Sequence, residues 1–345
     1  MSPLILLMMM FALGLGTTLT MMSTHWLLAW MGLEINTLAI IPMMIKHHHP
    51  RAVEATTKYF LVQATAATTL LFTSTMNAWF TGVWEISQIS HPLPLIMVTM
   101  ALSLKMGLAP LHAWLPDIMQ GLDLKIGLIL ATWQKIAPLS LLLQINHSTL
   151  VPLLGLISVI LGGWGGLNQT QLRKILAYSS IAHLGWIFLV MLLHPSLSFL
   201  ALLIYVIMTL SLFNVFILNK TTNINSLSTS WMKTPVLTAL TPLILLSLGG
   251  LPPLTGFLSK WVILQELTKQ NLNMLATTAA LSALLSLYFY LRLSYSMALT
   301  VAPNITTSTP SWRLTTNNSS TTTATSVTMT LLMLPLLPLM MAFTF

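Results

Sequence analysis

Apolar residues run in long blocks along this chain, and polar ones gather in the short gaps between them. A helix needs about 20 mostly apolar residues to cross the hydrocarbon core of a bilayer. About eleven blocks of that order occur, near 3–22, 25–45, 58–80, 93–120, 124–145, 149–168, 174–194, 197–218, 235–268, 274–298 and 324–343. The alternation of a transmembrane barrel is missing, and the runs are too long for one. The pattern predicts an all-α polytopic membrane protein with about 11 transmembrane helices. Two blocks, 93–120 and 235–268, exceed a single span, and both carry Gly/Pro clusters.

Composition sharpens that reading. Of 345 residues, 14 are Lys or Arg and 6 are Asp or Glu, so 6 % are charged, against roughly 25 % in soluble domains. With mean hydropathy at +0.84, a soluble enzyme is excluded. The absence of cysteine removes disulfides, thiolate-bound zinc and cysteine-held iron–sulfur clusters. The net charge of +8 sits on single residues scattered among apolar blocks, which suits membrane orientation and not nucleic acid. Met1-Ser2-Pro3 brings no basic leader, so the first block reads as a retained span.

The expected gaps on one side hold Lys46, Arg51 and Lys58, then Arg173 and Lys174, then Lys220 and Lys233, then Arg313. The opposite gaps hold Lys269 and Glu85. By the positive-inside rule the basic side, with the N-terminus, faces the compartment of synthesis, and eleven crossings put the C-terminus opposite. The sequons at Asn146 and Asn304 read as chance matches, and Thr315–Thr323 as a low-complexity loop.

Two segments repeat. Gly107-Leu108-Ala109-Pro110-Leu111-His112-Ala113-Trp114-Leu115 and Gly250-Leu251-Pro252-Pro253-Leu254-Thr255-Gly256-Phe257-Leu258 lie 143 residues apart in the two long blocks. Proline removes a helix donor and glycine relaxes the backbone, so each span should break near its middle. Opened backbone at that depth must be buried in protein or line a wet cavity. Five spans separate the two breaks, which inverts one repeat relative to the other, as in transporter folds. Two ordinary proline kinks are the alternative. The expected organisation is a single membrane domain, with five-helix repeats at 1–146 and 147–300, then a polar loop and C-terminal helix at 301–345.

Several charges fall inside apolar blocks, and four of them stand mid-span or beside a Gly/Pro irregularity. Glu34 lies mid-span, Lys105 precedes the first break, Lys135 lies three residues before Pro138, and Lys260 follows the second break. A charge at a helix centre costs about 2.5–3.5 kcal/mol even on the mildest scale, so such residues usually face a bundle interior and an ion path. Static ion pairs, or snorkelling of Lys260, are the alternatives. Burial disfavours a charged ammonium and a nearby carboxylate restores it. At an effective dielectric of about 20, a pair attracts by roughly 4 kcal/mol at 4 Å and roughly 2 at 8 Å. Moving Glu34 relative to Lys105 would therefore gate proton release.

His112 and His183 fall within blocks and are secondary relay candidates. His47-His48-His49 reads as a solvated basic loop, not a metal tract. Gly14-Leu15-Gly16 and Gly162-Gly163-Trp164-Gly165-Gly166 suit helix packing, because no strand precedes them to make a nucleotide site.

The stretch Leu172-Arg173-Lys174-Ile175-Leu176-Ala177-Tyr178-Ser179-Ser180-Ile181-Ala182-His183-Leu184-Gly185 resembles a signature of antiporter-like proton-translocating subunits. The run from Lys105 to Asp117 resembles that family's broken-helix motif. Lys125-Ile126-Gly127 and Thr132-Trp133-Gln134-Lys135-Ile136-Ala137-Pro138 narrow the likeness to membrane-arm subunits of respiratory complex I. The resemblance implies two inverted five-helix repeats, each with a discontinuous helix, and places the family's working residues on Glu34, Lys105, Lys135 and Lys260. The helix breaks would be Gly107, Pro110, Gly250, Pro252 and Pro253.

It further implies a subunit of NADH:ubiquinone oxidoreductase that couples electron transfer to proton translocation, in the mitochondrial inner membrane with a matrix-side N-terminus. Chains 4L, 4 and 5, accessory subunits and lipids would be partners. FMN, iron–sulfur clusters and ubiquinone would be bound elsewhere, with no cofactor or metal on this chain. A stand-alone cation/proton antiporter and a structural membrane-arm subunit remain as alternatives.

Overall fold

Proline and glycine punctuate the chain where the helices begin and end. The structure is a computed structural model and describes residues 3–45, 49–89, 91–145, 149–232, 234–299 and 321–336. Two units divide it, Met1–Gly155 and Leu156–Phe345. Among the described residues the secondary structure is helical, with two isolated β-bridges, His25 to Glu85 and Gln171 to Asn223.

The first unit contains α1 (Pro3–Met22), α2 (Trp26–Met44), α3 (Pro50–Thr81), α4 (Pro92–Met106), α5 (Trp114–Gly121), α6 (Leu124–Ala131) and α7 (Trp133–Gln144). α8 (Leu150–Gly166) contains the boundary between the units. Lipid tails give apolar helices little reason to associate, so close backbone packing must. α1 crosses α2 where Gly16 meets Gly32. A Cβ on Gly32 would lie 2.9 Å from the Gly16 carbonyl oxygen, and one on Gly16 2.8 Å from that of Gly32.

The second unit contains α9 (Leu172–Met191), α10 (Pro195–Asn219), α11 (Ile224–Ser228), α12 (Pro235–Gly249), α13 (Thr255–Lys269), α14 (Asn273–Ala298) and α15 (Thr321–Leu332). α9 is buried along nearly its whole length and packs on α10 and α13. A Cβ on Gly162 would lie 2.7 Å from the backbone nitrogen of Ala182, so the second glycine cluster also serves helix packing.

Six segments are long and apolar enough to cross a membrane: α1, α2, the α6–α7 pair at Leu124–Gln144, α9, α10 and α14. The chain is thus an α-helical multi-pass membrane protein. α4, α8 and α12 are shorter apolar helices. The expected eleven crossings would also require α3, α8, α15 and the two broken helices.

Three local expectations change. α3 starts at Pro50, with His49 accepting the Arg51 N–H at Nδ1 over 3.2 Å. Arg51 and Lys58 therefore lie on its first turns and not in a loop. At 1.5 Å per residue this 32-residue helix is about 48 Å long, more than the roughly 30 Å hydrocarbon core. The block at 124–145 is not one continuous helix, because it breaks at Thr132, where ψ is −69° and φ −112°. The Thr132 hydroxyl donates to the Leu128 carbonyl at 2.8 Å, a back-bond that bends helices, and Pro138 follows within two turns. Arg173 and Lys174 likewise occupy the first turn of α9. Lys46, His47, His48, Asn146, Lys233, Asn304 and Arg313 lie outside the described residues, as does most of Thr315–Thr323.

Candidate functional site

Both long apolar blocks break at the expected glycine. Gly107 ends α4 at φ +77°, and Gly250 ends α12 at φ +81°, a region closed to most side chains. The same two backbone bonds close each end. Gly107 N–H donates to the Leu104 carbonyl (3.1 Å) and Leu108 N–H to that of Ser103 (3.0 Å). Gly250 N–H donates to the Ser247 carbonyl (3.0 Å) and Leu251 N–H to that of Leu246 (3.2 Å). This is the Schellman termination, repeated at the 143-residue offset.

Each end still has carbonyls that these bonds do not use, and Met106 and Gly249 are the last of them. In a continuous helix the Met106 carbonyl would accept from residue 110 and that of Gly249 from residue 253. Both positions are proline and carry no N–H. Buried lysines take their place. Lys135 Nζ donates to the Met106 carbonyl, and Lys260 Nζ donates to the Gly249 carbonyl at 2.8 Å. Lys135 is 2 % exposed and Lys260 8 %. Each ammonium thus sits at the C-terminus of a half-helix, where the helix dipole is negative.

In the first unit Lys135, on α7, shares an interior with Lys105, on the last turn of α4. Asn36 and Thr37 of α2 and Tyr59 and Gln63 of α3 line the same cavity. Glu34, on α2, is half-buried, and the Thr37 hydroxyl lies 3.1 Å from its Oε2. The Glu34 carboxylate acts through space on Lys105 and on Tyr59. Among the described residues Glu34 and Lys105 form no ion pair within 4.0 Å. Lys105 Nζ is buried without a hydrogen-bond partner in the protein. His112 lies in the break, with Nδ1 3.2 Å from the Pro110 carbonyl oxygen, half-exposed and outside the cavity lining.

In the second unit His183, on α9, is buried near Lys260, which acts on it through space. Its Nε2 lies 3.5 Å from the Tyr290 hydroxyl, and its ring 5.6 Å from that of Tyr205. Tyr205 and Tyr290 lie beside Ser180 and Ser179 of α9. The signature stretch therefore supplies a polar line through an otherwise apolar helix.

Two groups escaped the sequence reading. Asn36 is 2 % exposed, and neither of its amide atoms has a partner in the protein. Its signal was a polar amide two residues beyond Glu34 in an apolar block. Glu266 lies near the end of α13, with Oε2 3.3 Å from His194 Nε2 and Oε1 2.7 Å from Lys269 Nζ. Its side chain is 7 % exposed, and nothing in its place near the end of the block at 235–268 signalled that burial.

Comparison with known proteins places these breaks in a family. Residues 23–286 match the model described as NADH:quinone oxidoreductase/Mrp antiporter, TM, and residues 287–341 match NADH dehydrogenase subunit 2 C-terminus. NADH-ubiquinone oxidoreductase chain 2 of Tetraodon nigroviridis is 65 % identical over 340 residues, covering 98 % of each chain. The protein of that name from Gadus morhua is 62 % identical over 344 residues, covering 99 % of each. Among solved structures, a chain of respiratory complex I from Thermus thermophilus with bound Aureothin superposes with a TM-score of 0.81 at 28 % identity. That match covers 96 % of this chain and 80 % of the other.

Proposed function

This chain belongs to the NADH:quinone oxidoreductase/Mrp antiporter transmembrane family, and from that premise we propose that it is a proton-translocating membrane subunit of an NADH:ubiquinone oxidoreductase. Lys135 and Lys260 carry this reading. Each is a buried cation held on the carbonyl that a proline frees at a helix break. A proton carrier needs a buried site that stabilises the charged form without a permanent counter-ion, and a backbone carbonyl at a helix C-terminus meets that need.

Glu34, Lys105, Lys135 and Lys260 are the groups that bear the proton. Glu34 acts on Lys105 through space, and no ion pair locks the two together. At an effective dielectric of about 20, a separation of about 8 Å corresponds to roughly 2 kcal/mol of attraction. A small displacement of the carboxylate then changes how firmly Lys105 holds its proton. Moving one charge against the membrane potential costs about 2.3 kcal/mol per 100 mV, the same order. Redox energy released elsewhere in the complex would drive the displacement, with proton exchange through Lys135 towards Lys260. His112 and His183 are secondary relay groups.

The proposal includes eleven crossings built as two inverted five-helix repeats, 1–146 and 147–300, with a C-terminal helix. It places the chain in the mitochondrial inner membrane, with the N-terminus on the matrix side and the C-terminus on the intermembrane-space side. Chains 4L, 4 and 5, accessory subunits and lipids are its proposed neighbours. Electron transfer, with FMN, iron–sulfur clusters and ubiquinone, belongs to other subunits.

The test is NADH:ubiquinone turnover with proton uptake in membranes carrying Lys135→Met, after assembly of the complex is verified. Pumping and coupled turnover should fall together. Wild-type values for both would make Lys135 a structural charge in a scaffold. Cation–proton exchange by the purified chain, without NADH or partners, would favour an antiporter instead.

A further inference from the structure

The cavity beside Lys105 holds more hydrogen-bonding capacity than the protein uses. Asn36 Nδ2, Asn36 Oδ1 and Lys105 Nζ are all buried without a partner in the protein. All three belong to residues lining one cavity between α2, α3, α4 and α7, with Tyr59, Gln63 and Gln134 beside them. Asn36 is 2 % exposed and Lys105 6 %, so neither reaches bulk solvent. The space open to water centres is about 10 Å³, room for roughly one molecule.

Local packing maintains this arrangement. A Cβ on Gly16 would lie 2.4 Å from Asn36 Oδ1, so only a glycine on α1 leaves the amide its place. The Asn36 carbonyl also accepts from Gln134 Nε2 at 3.4 Å, which ties α2 to the helix bearing Lys135. An unpaired buried amide or ammonium is unfavourable, whereas an ordered water that bridges two such groups is held at little entropic cost.

We propose that this cavity is a water site and that Asn36 is a positioning residue for Lys105. The water accepts from Lys105 Nζ and hydrogen-bonds the Asn36 amide, while the side chains of Tyr59, Gln63 and Gln134 supply further partners. It solvates the Lys105 ammonium where no carboxylate touches it, so the charged form persists when Glu34 is distant. The inference rests on the proton-carrying role of Lys105 proposed above.

The test uses the assembled complex. A map fine enough to show water should contain density about 3 Å from both Lys105 Nζ and Asn36. Asn36→Leu, which keeps bulk and loses both hydrogen-bonding atoms, should lower coupled turnover and proton uptake about fivefold, the effect of one lost hydrogen bond. Asn36→Ser, which keeps a hydroxyl and leaves room for water, should restore most of both. No density in the wild-type map, or wild-type pumping in Asn36→Leu, overturns the inference. If Asn36→Leu pumps normally while Lys105→Met and Lys135→Met do not, the inference fails and the proton-carrying reading stands. If all three pump normally, both fail. Should Asn36→Leu not assemble, the wild-type map and Asn36→Ser decide: density with retained pumping supports the site, and missing density refutes it.

Discussion

Adding one methyl group at Gly250 should displace Lys260 from its carbonyl. A Cβ there would lie 2.9 Å from Lys260 Cδ, 3.1 Å from Nζ and 3.2 Å from Cε. The obstructing atoms belong to a flexible side chain, so the lysine moves and its 2.8 Å bond to Gly249 breaks. That bond, from a charged donor, is worth about 1.5–3 kcal/mol. The positive φ of +81° adds about 1–2 kcal/mol for any side chain. Gly107→Ala is the counterpart without a lysine: Gly107 has φ +77°, and its Cβ would meet Leu115 Cδ1 at 2.7 Å and Trp114 Cζ2 at 3.2 Å. Proton uptake per NADH should fall further in Gly250→Ala than in Gly107→Ala, because only the first displaces Lys260. The excess should vanish in a Lys260→Met background, since effects that act through one side chain do not add. Equal losses in the two alanine variants, or strict additivity with Lys260→Met, would refute the docking of Lys260 on the helix end.

Other perturbations test the packing around these sites. Gly256→Ala should abolish assembly, because its Cβ would lie 1.6 Å from the Ser247 carbonyl oxygen, a backbone atom that cannot step aside; assembled complex on native gels would contradict this. Gly162→Ala should lower thermal stability by about 1–3 kcal/mol, since the Ala182 backbone nitrogen would be 2.7 Å away, and an unchanged midpoint would count against close α8–α9 packing. Glu266→Gln should lower stability more at low salt than at high salt, because it removes the charge shared by His194 and Lys269; a salt-independent loss would point to packing instead. Glu54→Gln should leave turnover unchanged, since its pair with Lys58 is solvent-exposed, and a loss would implicate the start of α3 in function.

Much of the architecture was legible because a bilayer leaves few alternatives. Long apolar blocks must be helices there, and Gly107 and Gly250 mark the breaks because proline follows each within three residues. Glu34, Lys105, Lys135 and Lys260 stood out through the cost of charge at depth. The interruption at Thr132 did not, because it depends on which carbonyl a hydroxyl chooses. The start of α3 was missed because hydropathy marks where a helix enters lipid, not where its hydrogen bonds begin. Asn36 was hidden for a different reason: one amide in an apolar block is ordinary until its surroundings leave it unpaired.

The repeat explains why the lysines do not align. Shifted by 143 residues, Lys105 falls on Leu248, Lys135 on Thr278 and Lys260 on Asp117. By sequence the two units share no cation. They do share the break itself, Gly107 and Gly250 with Pro110 and Pro253 three residues on, and each break leaves the last carbonyl of its helix without a backbone N–H. That carbonyl sits at a helix C-terminus, unpaired by the backbone and partly negative, so it favours an ammonium from whichever element can reach it. In the first unit that element is the helix bearing Lys135, and in the second it is α13, immediately past the break. What the repeat preserves is thus an acceptor made of backbone, and the side chain that answers it was free to change position.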